Sequence, residues 1–223
     1  MAVIGSVLAL ALAVLTGVLY GAVFHLREPS VPRTVVKALT VTLLAVSVLL
    51  ADGPPWLVAA LALSAVGDAA ISRDGEAAFL VGLGSFLVAH VLYVVLFVTT
   101  IADWTMDARA WTQCAVLVAV AGLLMTRLWP HLGDMRIPVV YYMVAILAMG
   151  GTAALLPASL KLANVGAIAF VASDCVLAIE LFLKRQNSLT SQFVWFSYFL
   201  AQLLITGAFA SAAGLLAPIL YQV

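Results

Sequence analysis

Charge is scarce in this sequence: 9% of its 223 residues are Asp, Glu, Lys or Arg, against 65% hydrophobic residues. A soluble domain carries about a quarter charged residues, so this chain lacks the means to dress a water-facing surface. Its ten Lys and Arg are offset by ten Asp and Glu, which excludes a generally basic nucleic-acid binder. The apolar content excludes a disordered or acidic tail. Cysteine is almost missing, and Cys114 and Cys175 both lie in apolar runs, so they read as core fillers rather than as a disulfide framework or metal knuckle. Histidine is scarce too. Of His25, His90 and His131 only His90 falls deep in an apolar run, too few for a zinc site that needs three protein ligands. No metal, no cofactor and no obligate protein partner is demanded by the pattern. Nor is any polar segment long enough for a second unit, which leaves one transmembrane domain over 1–223.

What is present is a series of long apolar runs. Each bilayer crossing takes roughly 20 apolar residues, and the polar interruptions mark eight: 3–24, 35–51, 55–71, 77–100, 111–129, 137–156, 160–182 and 193–216. The expected fold is all-α, a polytopic integral membrane protein of eight transmembrane helices. The first run lacks the charged n-region of a signal peptide and is read as a mature helix. Turn chemistry fills the gaps, as in Asp52-Gly53-Pro54-Pro55 and Ser72-Arg73-Asp74-Gly75. With eight crossings, Arg27, Arg33, Lys37, Arg73, Arg127, Arg136, Lys184 and Arg185 fall on one side, and Arg109 and Lys161 on the other. The positive-inside rule then puts the basic turns in the cytoplasm and both termini outside, across the inner membrane if the host is bacterial.

Ionisable groups inside such runs cost about 2.5–3.5 kcal/mol each on insertion scales and mark functional candidates. The third run ends in Ser64-Ala65-Val66-Gly67-Asp68, and the fourth holds His90 and Tyr93. The seventh holds Ser173-Asp174 and Glu180, and the eighth Tyr198 and Gln202. Lys37 opens the second run, and Arg136 with Tyr141 the sixth. In the eight-span topology these groups fall in the cytoplasmic half of the bilayer. A carboxyl among apolar rings favours its neutral form and one beside a cation its ionised form, so Asp68 and Asp174 are candidates for opposite protonation states in acid/base chemistry. Taken singly, each residue also has a structural reading. A lone membrane Asp can cross-link helices, His90 can be a bonded packing residue, the tyrosines can be interfacial aromatics, and Lys37 and Arg136 can simply obey the positive-inside rule. Glu180 sits four residues before Lys184 and is expected to pair with it. The order cation, small residue plus Asp, polar pair occurs in the second to fourth runs and again in the sixth to eighth. That suggests a parallel four-helix internal repeat.

The same residues carry a resemblance. Lys37-Ala38-Leu39-Thr40, Ser64 to Asp68, and Phe79 with Gly82-Leu83, Phe86, Ala89-His90 and Tyr93 resemble the YhhN-like transmembrane family. So do Arg136, Pro138-Val139 and Tyr141, then Gly166-Ala167, Phe170 and Ser173-Asp174, then Tyr198 and Ala201-Gln202. Ala38 departs from the pattern, which carries proline there. The family includes lysoplasmalogenases, membrane hydrolases that cleave the vinyl ether of a lysoplasmalogen to a fatty aldehyde and a glycerophospho-amine. The resemblance implies Asp68 and Asp174 as catalytic carboxylates, either of them the acid. It implies a lysophospholipid substrate drawn from the bilayer, its phosphate toward Lys37 and Arg136, with His90, Tyr93, Tyr141, Tyr198 and Gln202 around it. Two other classes use paired membrane acids: an intramembrane aspartyl protease, whose Tyr-Asp and Gly-x-Gly-Asp patterns are met here only in part, and a small proton-coupled carrier.

Overall fold

A computed structural model describes residues 2–212. Eight α-helices run through them: α1 (Ala2–Leu19), α2 (Val31–Leu50), α3 (Pro55–Ile71), α4 (Glu76–Val98), α5 (Ala108–Leu128), α6 (Arg136–Ala153), α7 (Lys161–Leu183) and α8 (Ser188–Ala212). The fold is all-α. Seven of these segments are long and apolar enough to cross a bilayer, which makes this a multi-pass integral membrane protein. The eighth, α3, has 17 residues and falls short of that length. At 1.5 Å per residue it extends about 25 Å, at the short end of what a crossing takes. The expected end of the last run, 213–216, and the C-terminus lie outside the described residues.

Capping chemistry shifts two boundaries. The Oγ of Ser30 accepts from the Arg33 amide at 3.4 Å and Pro32 enters in the first turn, so α2 begins at Val31 rather than near 35. Asn187 Oδ1 accepts from the Thr190 amide at 2.9 Å and starts α8 at Ser188, five residues before the apolar run. Hydrophobicity alone does not mark these starts, because the added turns are polar. At the end of α1 the chain widens into a π-turn over Tyr20–Phe24, whose last bond runs from the His25 amide to the Tyr20 carbonyl at 2.8 Å. The helix thereby carries His25 inward.

Six helices close a ring: α2 packs on α3, α3 on α4, α4 on α6, α6 on α7, α7 on α8, and α8 on α2. Outside it, α1 lies on α2, and α5 lies on α6 and α7. Leucines and valines such as Leu15, Val116 and Leu123 face outward from these two helices, at 66%, 55% and 69% exposure. In water that surface would aggregate; in lipid it needs no covering. Inside the ring an aromatic cluster fills the centre. Phe170 meets Tyr198 edge to face with centroids 5.2 Å apart, and Phe86 meets Tyr198 at 5.8 Å. Small residues permit the close approaches: a Cβ at Gly166 of α7 would lie 2.9 Å from the Ala201 carbonyl of α8.

Candidate active site

Asp68 lies thirteen residues into α3, buried at 1% exposure. Lys37 of α2 reaches it, Nζ to Oδ1 3.0 Å, and the Tyr198 hydroxyl of α8 donates to Oδ2 at 2.7 Å. Lys37 also lies over the Trp195 ring, 5.9 Å from its centroid. Antiparallel packing brings these groups together, since Lys37 opens α2 and Asp68 closes α3. The neighbouring Gly67 has a definite reason to be small: a Cβ there would stand 2.7 Å from the Phe86 ring.

Asp174 lies thirteen residues into α7 and has different company. The Tyr142 hydroxyl of α6 donates to its Oδ2 at 2.6 Å, and His90 Nε2 of α4 stands 3.6 Å from that oxygen. Among the described residues no Lys or Arg pairs with it. His90 itself is fully buried, with its Nδ1 on the Phe86 carbonyl at 2.7 Å.

Both carboxyls line one chamber, together with His25, Lys37, Ser173 and Tyr198. A second, apolar groove runs between α4, α5, α6 and α7. Four residues line both spaces: Ile71, Phe86, Asp174 and Leu177. The chamber and the groove therefore meet at Asp174, with Asp68 confined to the chamber side. His25 sits outside the helical spans at the chamber wall. Burial, and after it the Lys37 charge, pushes its imidazole down to about 4, so it is neutral in the neutral pH range.

Of the residues selected from sequence, the structure brings Lys37, Asp68, Asp174 and Tyr198 to the chamber and His90 to its Asp174 side. Tyr93 and Gln202 bond to each other, Tyr93 donating to the Gln202 side-chain oxygen, in a fully buried layer that does not line the chamber. Arg136 and Tyr141 are not brought there. Arg136 is exposed over the Trp129 ring, 5.1 Å from its centroid, and Tyr141 faces outward at 65% exposure. Tyr142 is the tyrosine that reaches Asp174. Helical spacing held the signal, since Val139, Tyr142, Ile146 and Met149 form one stripe and Tyr141 lies off it. Glu180 does not pair with Lys184. It accepts from Ser191 at 3.0 Å and from Thr190, because α7 ends at Lys184 in a left-handed turn, φ 52°, that folds α8 back over Glu180. Among the described residues no three His, Cys, Asp or Glu side chains converge as metal ligands would.

The YhhN family profile matches residues 32–209. The chain belongs to the YhhN family. The matched stretch runs from the first turn of α2 into α8 and includes both aspartates of this YhhN site; α1 and His25 precede it. Proteins named lysoplasmalogenase from Mycobacterium bovis and Mycobacterium tuberculosis are each 39% identical over 158 residues, 69% of this chain and 60% of theirs. The aligned part thus falls short of two thirds of those relatives' own length. No solved structure matches this YhhN chain.

Proposed function

We propose that this protein is a membrane hydrolase that cleaves the vinyl ether of a lysoplasmalogen to a fatty aldehyde and a glycerophospho-amine. One observation carries the reading: two carboxyls with unlike partners face one chamber, and that chamber meets an apolar groove at one of them. The names of the mycobacterial relatives support the substrate class. In the proposed complex the alkenyl chain lies in the groove, the vinyl ether lies at Asp174, and the headgroup occupies the chamber beside Lys37 and His25. Arg136, over Trp129, is assigned to the interface rather than to the phosphate.

The chemistry fits this placement. Vinyl ethers resist base but open once the β-carbon is protonated, which gives an oxocarbenium ion that water captures. A neutral carboxyl supplies that proton, and an ionised one stabilises the cation and orients the water, as paired carboxyls do in glycoside cleavage. Asp68, paired with Lys37, suits the ionised role.

We further infer that the chamber lies toward the cytoplasm, which the excess of Lys and Arg in the loops on that side supports. We also infer that the eight helices are a parallel duplication of four. Its support is positional. Asp68 and Asp174 have the same place in α3 and α7, and Lys37 and Tyr142 each lie six residues into α2 and α6. The third partner comes from α8 for Asp68 and from α4 for Asp174.

Mass spectrometry of a lysoplasmalogen incubated with the purified protein in detergent tests the reading. Aldehyde release is expected without any membrane gradient, which a carrier would need. Asp68→Asn and Asp174→Asn are each expected to lose about 10²–10⁴-fold in rate while remaining folded. Undiminished release by both variants would overturn the assignment.

A further inference from the structure

We propose that Asp174 is the proton donor of the pair and that His90 is its positioning partner, holding one proton between Asp174 Oδ2 and His90 Nε2. This rests on reading the chamber as a vinyl-ether hydrolase site. Valence fixes the imidazole tautomer. A backbone carbonyl only accepts, so the 2.7 Å contact from His90 Nδ1 to the Phe86 oxygen places the hydrogen on Nδ1. In a neutral ring the lone pair is then at Nε2, which is buried, has no hydrogen-bond partner and stands 3.6 Å from Asp174 Oδ2.

That separation is too long for a formed hydrogen bond and short enough for a small rotation to close it. An ionised carboxylate facing a bare, buried lone pair would set two acceptors against each other. A carboxylic acid turned toward Nε2 satisfies both groups and buries no charge. An imidazolium–carboxylate pair would instead bury two charges in a ring cage where Tyr142 and Phe170 stand 5.2 and 4.7 Å from the imidazole. The Tyr142 hydroxyl, donating to the same Oδ2, is the group that receives Asp174 once it ionises.

The other titratable groups nearby are Cys175, next to Asp174 on α7, and Tyr93, one turn along α4 from His90. Across the chamber stand Lys37, Asp68, Tyr198 and His25. Lys37 and Tyr198 are both engaged by Asp68. His25, held at about 4, does not titrate near neutrality.

The step balances. The Asp174 O–H bond breaks as its proton forms a C–H bond at the β-carbon with the π pair, and the ether oxygen shares the resulting positive charge. Water adds to the oxocarbenium carbon and its surplus proton returns to Asp174. The hemiacetal then loses its hydroxyl proton and breaks its bond to the glycerol oxygen, which takes up a proton. One water is consumed, and the proton taken from Asp174 is restored. His90 keeps that proton in place between turnovers, where Tyr142 alone would favour the ionised acid.

The test joins a pH profile with two measurements that need no substrate. In His90→Phe the acceptor is gone, so the alkaline limb of kcat/KM should move about one pH unit toward acid. On that limb the rate should fall about tenfold, with KM within about threefold. His90→Gln restores an acceptor and should bring the limb part of the way back. Nitrogen NMR of the imidazole-labelled wild-type protein should find a protonated Nδ1 and a bare Nε2 at neutral pH. Infrared spectra should carry a carboxylic-acid band that Asp174→Asn removes. An imidazolium at neutral pH, or aldehyde release with an unmoved limb in both His90 variants, would overturn the proposal. The expected tautomer and band in a protein that releases no aldehyde would uphold the pair and overturn the hydrolase reading instead.

Discussion

Asp68 and Asp174 occupy equivalent places in α3 and α7, yet their surroundings oppose each other. Asp68 is closed in by a cation at 3.0 Å and a tyrosine hydroxyl at 2.7 Å, on the chamber side only. Asp174 has a tyrosine hydroxyl and an imidazole lone pair, no Lys or Arg partner among the described residues, and contact with both chamber and groove. Two copies of one side chain can thus serve opposite roles when neighbouring helices present an ammonium to one and a neutral acceptor to the other. The asymmetry arises largely at one register position: Lys37 on α2, Tyr142 on α6.

The comparison can be broken most forcefully at Lys37. Lys37→Met should leave Asp68 buried without its cation and lower stability by about 3–5 kcal/mol, read as a drop in Tm or in denaturant midpoint. A small change would mean that Asp68 is not held as an ion. Gly67→Ala comes next. The new methyl would stand 2.7 Å from the Phe86 ring, which divides chamber from groove. A cost of about 1–3 kcal/mol is expected, with a raised KM for long-chain substrate. Tyr142→Phe tests the Asp174 side and should cost only about 0.5–1.5 kcal/mol, since a neutral acid loses one hydrogen bond where Asp68 would lose its counter-ion. A penalty matching that of Lys37→Met would erase the proposed difference. Smallest of all, Tyr141→Phe should change stability by less than about 0.5 kcal/mol, because its ring faces outward.

Much of this was legible in the sequence. Apolar run length gave the helical class and the order of the helices, and the cost of intramembrane charge singled out Lys37, Asp68, His90 and Asp174. The resemblance selected Tyr141 where Tyr142 does the bonding, although the stripe of Val139, Tyr142, Ile146 and Met149 already set Tyr142 on the inner face of α6. Run length could not register polar first turns, which is why α2 and α8 begin earlier than their apolar stretches. Glu180 shows the same limit from another side: a four-residue spacing predicts an ion pair only while the helix continues, and α7 stops at Lys184. His25, placed in a loop by its polarity, is drawn to the chamber wall by a π-turn that no residue pattern announces.

Protonation of the vinyl carbon dictates where water enters the product. With a lysoplasmalogen turned over in heavy-oxygen water, mass spectrometry should find the glycerophospho-amine unlabelled, its hydroxyl keeping the original ether oxygen, while the label enters only the aldehyde. Heavy oxygen in the glycerol product, or no cleavage at all, would contradict protonation of the vinyl carbon by this pair of aspartates.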